Sequence, residues 1–196
     1  MTETPIRLAV IVASTREGRF GDTVARWFVR VLEQWPAFAV DVIDLRDVEL
    51  PAVQSAAHPK SGRYSQPIAR FAARIADADA FVFVTPEYNH GYPASLKSAL
   101  DAVFAEWNAK PASFVSYGGL AGGLRAVEQL RQVFGELHMV AIRDTVAIPF
   151  APRMFDEGGQ LIDDGIVPAS TKVMLDSLSW WAKALRTARA DSPYSA

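Results

Sequence analysis

Three short stretches of this 196-residue chain concentrate the side chains able to grip a ligand. The densest is Thr85-Pro86-Glu87-Tyr88-Asn89-His90-Gly91-Tyr92-Pro93. Pro86 and Pro93 fix the backbone at either end, Gly91 loosens it between them, and Tyr88 offers a flat ring to pack. Amides held outward beside an aromatic ring suit a planar heterocycle. The second stretch is Ser14-Thr15-Arg16-Glu17-Gly18-Arg19-Phe20-Gly21-Asp22-Thr23. Its hydroxyls, two guanidinium groups and two glycines stand where a helix is expected to begin. Unpaired amides and the helix dipole favour an anion there, and arginine adds bidentate bonds to phosphate. Glu17 opposes an anion and is expected to point away. A plainer reading has Asp22 or Thr23 capping the helix with both arginines in water. The third stretch, Ser116-Tyr117-Gly118-Gly119-Leu120-Ala121-Gly122-Gly123, has four glycines in six residues and allows close backbone approach to a ring edge. Tight strand–helix packing alone would also use such glycines.

The elements that must position these stretches are legible from periodicity. Apolar runs predict strands at Ile6–Ala13, Phe38–Leu45, Ala80–Thr85 and Ala112–Ser116, and a fifth over Met139–Ile148 broken near Arg143-Asp144. Helical spacing appears in Val24, Trp27, Phe28, Val31 and Trp35, and over Gln66–Ala78. It returns in Leu96, Leu100, Val103, Phe104 and Trp107, over Leu124–Leu137, and over Ala169–Arg189. Residues 46–65 read as a long surface loop and 149–168 as another, with Gly158-Gly159 as a hairpin turn. Strand-then-helix units in series predict one α/β domain over residues 1–196: a flavodoxin-like, doubly wound, five-stranded parallel sheet with helices on both faces. The expected order, 2-1-3-4-5, puts the switch point between strands one and three. The three chemical stretches then meet in one crevice at the carboxyl ends of strands.

The first stretch lacks G-x-G-x-x-G, which disfavours a dinucleotide site at that turn, and lacks G-x-x-x-x-G-K-[ST], which argues against a P-loop. Strands one and three end in Ser14-Thr15 and Thr85-Pro86 rather than in an acidic metal cluster. A monophosphate without an obligatory metal fits best, and FMN is the ligand flavodoxin-like sheets hold at this switch point. The totals narrow the rest. Twenty basic against 22 acidic side chains leave a net charge of −2, which argues against nucleic acid. The absence of cysteine excludes thiol catalysis, disulfides and Cys-ligated metal centres. No apolar run approaches the ~18 residues a membrane span needs, and Met1-Thr2-Glu3-Thr4-Pro5 does not read as a signal peptide, so a cytoplasmic protein is expected.

The ordered set Ser14-x-Arg16-x-Gly18-Arg19, Pro86-Glu87-Tyr88-Asn89, Leu96-Lys97-x-Ala99-Leu100-Asp101 and Ser116-Tyr117-Gly118-Gly119-x-x-Gly122-Gly123-x-Arg125-Ala126 resembles the NADPH-dependent FMN reductase family of flavodoxin-like quinone, azo and chromate reductases. The resemblance spans roughly Arg7 to Leu185. It implies FMN as cofactor, NADPH or NADH as reductant, and hydride passing through flavin N5 to a quinone, azo compound, flavin or metal oxyanion. By it, Ser14, Arg16 and Arg19 hold the phosphate, Pro86, Glu87, Tyr88 and Asn89 with Gly91 border the isoalloxazine, and Ser116, Tyr117, Gly118 and Gly119 reach its other edge. Many members carry Asn where this chain has Gly21, so backbone amides at Gly21, Asp22 and Thr23 are expected to stand in. The resemblance further implies a homodimer or homotetramer with Lys97, Asp101, Phe104 and Trp107 near a subunit seam, although ordinary core packing would explain the two aromatics equally well.

No side chain is assigned a catalytic role, because the cofactor carries hydride chemistry. His90 reads as a loop-packing or substrate-pocket residue, and His58 and His138 lack metal-like spacing. The 46–65 loop is a candidate wall of the substrate pocket. Of Trp180 and Trp181, one is expected in the core and one outside. Two other readings stay open: an electron-transfer carrier of the flavodoxin type, disfavoured by the near-neutral charge, and a flavin-free binding module on the same fold.

Overall fold

A computed structural model of the chain describes residues 4–162 and 165–195. Its strands are β1 (Ile6–Val12), β2 (Phe38–Asp44), β3 (Ala80–Pro86), β4 (Pro111–Tyr117), β5 (Val140–Ala141) and β6 (Val146–Ile148). Its α-helices are α1 (Gly21–Leu32), α2 (Gln66–Asp77), α3 (Ala94–Ala102), α4 (Leu124–Glu136) and α5 (Ile166–Asp191). The sheet is parallel throughout, in the order β2-β1-β3-β4-β5, with β6 also paired to β4. The 2-1-3-4-5 order expected from the sequence is therefore observed. The expected break in the fifth strand is real as well. Ser113 Oγ donates to Asp144 O (2.7 Å), Thr145 Oγ1 to Phe114 O (2.8 Å), and Arg131 to Ile142 O (2.8 Å). Side chains thus satisfy the backbone where the ladder stops, as buried carbonyls require.

Helices cover both faces, so β3 and β4 are buried along their whole length and read as continuous apolar runs rather than alternating ones. Leu8, Val10, Val12, Val82 and Val84 face α1 and α5, packing with Val24, Phe28 and Leu178. Their neighbours Ala9, Ile11, Phe81, Phe83 and Phe114 face α2, α3 and α4. Only β2, at the edge, is largely exposed.

Three helices differ from the sequence reading by more than one residue, and the first is α1, which stops at Leu32 short of Trp35. α3 stops at Ala102, so Val103 and Phe104 lie beyond it, and Trp107 sits on a separate 3-10 turn, Ala105–Trp107. The Trp107 ring is fully buried against Phe71, Phe81 and Phe83, and Nε1 donates to Leu100 O at 3.2 Å. It is a core residue, as ordinary packing would have it. α5 begins at Ile166, because Pro168 falls in the first turn, where a missing amide costs no helical bond. Trp180 is exposed, whereas Trp181 packs on the core. Around Gly158-Gly159, Phe155 and Leu161 form an antiparallel bridge, closing the expected hairpin.

Candidate functional site

The three loops meet where β1, β3 and β4 end. They do so in a crevice of about 400 Å³ bounded by Phe20, Pro86–Tyr88, Tyr117–Gly119 and a fourth wall, Phe150–Arg153. The register explains the meeting: Val12 lies beside Val84, and Thr85 and Pro86 lie beside Ser116 and Tyr117. Neighbouring strands of equal reach deliver their loops to one level.

The first loop is built around Arg19. Its guanidinium is buried and bonded to Asp44 through both terminal nitrogens, to Asp22 from Nε (2.7 Å), and to Ser14 O. Asp44 stands at the end of the adjacent strand β2, in register with Val12. Burial alone would raise the Asp44 carboxyl, but the bonds from Arg19 and the Arg46 amide outweigh it and hold the group below the usual carboxylate range. Bonds to Asp44 raise Arg19 in turn. Arg19 therefore faces inward as a brace, neither solvated nor presented to the open side of the loop. Arg16 differs. It is exposed, and among the described residues no carboxylate pairs with it. Glu17 is exposed as expected. Neither Asp22 nor Thr23 caps α1; Phe20 occupies the cap position without a side-chain bond, so the first amides of the helix keep no side-chain acceptor there.

Gly21 has a steric reason. A Cβ built on it would overlap Tyr117 Oη, so the phenol occupies the volume a side chain at 21 would take. Tyr117 is buried, and among the described residues its hydroxyl is the buried side-chain polar atom left without a hydrogen-bond partner. Burial, with Tyr88 beside it, raises this phenol and keeps it protonated. Ser14 is buried too, with Oγ 2.7 Å from Tyr88 Oη, so a hydroxyl pair joins the first and second loops.

In the second loop, Tyr88 N donates to Gly91 O (2.8 Å) and Gly91 N to Tyr88 O (3.0 Å). Asn89 (φ 51°) and His90 (φ 67°) are both left-handed, as the two central residues of a type I′ turn must be. His90 is exposed on that turn, its carbonyl accepting from Gln129 Nε2 at 2.9 Å. Glu87 is turned away from the crevice: its carboxylate takes Arg125 N (3.1 Å) and Arg125 Nη1 (2.6 Å) at the start of α4. Ser116 is likewise occupied, donating to Gly122 O at 2.8 Å and closing the glycine loop on itself. Gly122 and Gly123 take φ of 58° and 89°, and a Cβ on Gly123 would lie 2.7 Å from Ser116 Cβ. Of the site residues named from sequence, Pro86, Glu87, Tyr88, Tyr117, Gly118 and Gly119 line the crevice, while Arg19 and Ser116, with the Glu87 carboxylate, hold its frame.

Two expectations fare differently. The 46–65 loop, Tyr64 included, lines a separate cavity of about 270 Å³ with Ile68, Ser98 and Asp101 and contributes nothing to the crevice. Lys97 and Asp101 form an ion pair within α3 (2.6 Å). The sequence reading missed Asp44 and the Phe150–Arg153 wall. An acid ending the strand beside two arginines was the available signal for Asp44. The wall carries no motif, and only the 3-D return of the chain to Gly118–Gly119 reveals it.

Residues 6–153 match the profile of a family described as NADPH-dependent FMN reductase. The chain belongs to that family. An NAD(P)H-dependent FMN reductase of Schizosaccharomyces pombe is 41% identical over 136 residues, 68% of each chain. A probable NADPH:quinone oxidoreductase of Oryza sativa is 33% identical over 177 residues, 87% of this chain and 89% of that one. Among solved structures, the flavoenzyme NAD(P)H:acceptor oxidoreductase FerB of Paracoccus denitrificans superposes with a TM-score of 0.69 at 19% identity, covering 91% of this chain and 98% of that one, a likeness of fold. This family member is accordingly an FMN-dependent oxidoreductase that draws on NAD(P)H. The crevice and the first loop beside it suit the cofactor: an unpaired cation at Arg16 and a start of α1 without a side-chain cap on the loop, an orphaned phenol at Tyr117 and a glycine cradle that side chains would fill in the crevice. Among the described residues no helix is long and apolar enough to cross a membrane.

Proposed function

We propose that the crevice binds FMN with its phosphate at the first loop and its ring between the second and third, and that the protein reduces a small planar acceptor such as a quinone. The observation that carries this reading is an aromatic, glycine-lined cleft at the switch point of the sheet, entered by Phe20 from the loop that carries the unpaired Arg16 and leads into the uncapped start of α1. Arg16 and the amides of Gly21 and Asp22 would hold the phosphate, whereas the Thr23 amide already donates to Phe20 O (3.0 Å); Arg19 acts behind them by fixing the loop to Asp44. Pro86–Asn89 and Tyr117–Gly119 would meet the ring through backbone groups, because Glu87 and Ser116 are already bonded elsewhere. Bound FMN supplies two-electron transfer between nicotinamide and acceptor. The chain contributes orientation and exclusion of water, and no acid or base is needed from it.

One active face serving both substrates in turn would give parallel lines in two-substrate kinetics; intersecting lines would count against it. The deciding experiment is an absorption spectrum of the purified protein before and after anaerobic NADPH. A flavin band that bleaches supports the proposal. A band that NADPH leaves untouched points to a carrier, and a colourless protein whose melting temperature ignores added FMN points to a binding module. We also infer one domain acting in the cytoplasm as a homodimer or homotetramer, which light scattering and cell fractionation would test.

A further inference from the structure

The Phe150–Arg153 wall is unlike the rest of the crevice. Phe150 adopts φ 46°, ψ 42°, a left-handed conformation that a bulky side chain rarely holds, and it remains 45% exposed. Its strain is maintained by bonds on both sides: Phe150 N to Gly119 O (3.0 Å), Ala151 N to Gly118 O (3.2 Å) and Arg153 N to Phe150 O (2.8 Å). Strained residues of this kind persist where the surroundings over-determine them and gather at binding sites. The segment is rigid from behind as well. Ala151 is buried, and Phe155, four residues on from it, packs edge-on against Phe20 and Trp27.

This scaffold presents an aromatic ring and a cation together. The Arg153 guanidinium lies 5.7 Å from the Phe150 ring centroid, and Arg153 is exposed. Three other arginines help set the comparison. Arg19 is spent on Asp44 and Asp22, Arg125 on Glu87, and Arg16 stands unpaired at the phosphate loop. Among the described residues no carboxylate pairs with Arg153 either. The nearest acid in sequence, Asp156, is engaged with its own hairpin, accepting Gln160 N at 2.8 Å. An arginine held over a ring, with no internal anion, at the mouth of an apolar cleft is a receptor for a ligand that is both flat and phosphorylated.

We infer that Phe150 and Arg153 form the recognition platform for the pyridine nucleotide, with Arg153 bonding one of its phosphates. This rests on the flavin reading of the crevice, since the platform borders that cavity. The phosphate is either the pyrophosphate, common to NADH and NADPH, or the 2′-phosphate of NADPH, and a paired measurement separates them.

The test uses Arg153→Gln and Arg153→Lys in the flavin-loaded protein. Steady-state KM and kcat are read for NADPH and for NADH, and binding of NADP⁺ and NAD⁺ is read by calorimetry. Arg153→Gln should raise KM for NADPH by at least tenfold with kcat within twofold, weaken NADP⁺ binding in parallel, and leave flavin content and melting temperature unchanged; Arg153→Lys should recover most of the loss. A rise for both nucleotides assigns the pyrophosphate, and a rise for NADPH alone assigns the 2′-phosphate. Unchanged KM and unchanged nucleotide binding overturn the inference. So does loss of FMN with retention of riboflavin, which would make Arg153 part of the flavin-phosphate site. A colourless wild-type protein whose melting temperature ignores added FMN would sink the flavin reading instead, and NADP⁺ titration of that same protein would still judge Arg153.

Discussion

The first and third loops both end a central strand and both start a helix, yet they keep their shapes by opposite means. Residues 14–21 are held by charge: a buried guanidinium tied to a strand-end carboxylate. Residues 116–123 are held by missing side chains: Gly122 and Gly123 are left-handed and packed against backbone. A charged brace tolerates a change of ring or substrate but not of ionisation. A glycine turn is indifferent to pH but not to a single methyl group.

The sharpest break should come from Gly123→Ala. Its Cβ would meet Ser116 Cβ at 2.7 Å and Tyr117 N at 3.0 Å, with φ at 89°. We expect a loss of about 3–4 kcal/mol from overlap and backbone strain together, read as a lowered denaturant midpoint. Next comes Arg19→Met, which strands Asp44 without its partner and should cost about 3 kcal/mol. Its pH profile carries the comparison further. The folded Asp44 carboxyl is lowered, so its contribution is present above the unfolded value of about 3.9 and is lost as pH falls through the folded value. The wild type should weaken through that acid window, and in Arg19→Met this part of the slope should flatten. Gly123→Ala should keep the wild-type slope.

Smaller effects sharpen the contrast inside the first loop. Arg16→Ala should weaken FMN retention about tenfold, from charge-assisted bonds worth roughly 1.5–3 kcal/mol, while leaving the melting temperature of flavin-free protein unchanged. Retention equal to wild type would remove Arg16 from the site. Gly18→Ala is the mildest. Gly18 is left-handed (φ 64°), but nothing lies within 4 Å of the place its methyl group would take, so only the backbone cost of about 1 kcal/mol applies. A loss as large as that of Gly123→Ala would erase the distinction between the two loops.

Much of the fold was readable because parallel strands announce themselves as short apolar runs, and β1, β3 and β4 could hardly be anything else. The crossing order followed from general rules of handedness and switch points rather than from any one residue. What stayed hidden was partnership. Arg16 and Arg19 look alike in a string of letters, and only the register of Val12 beside Asp44 decides which of them is used up. The family resemblance places Ser116 and Glu87 at the flavin, but their polar groups are committed to Gly122 and Arg125. The Phe150–Arg153 wall depends on contacts with Gly118 and Gly119, far back along the chain, which no local pattern encodes.

Tyr117 reaches from the end of β4 into the space beneath Gly21. The two positions are consequently linked as lock and key. A side chain at 21 therefore needs the phenol to shift or to be lost, so a descendant that acquires one is expected to change residue 117 first.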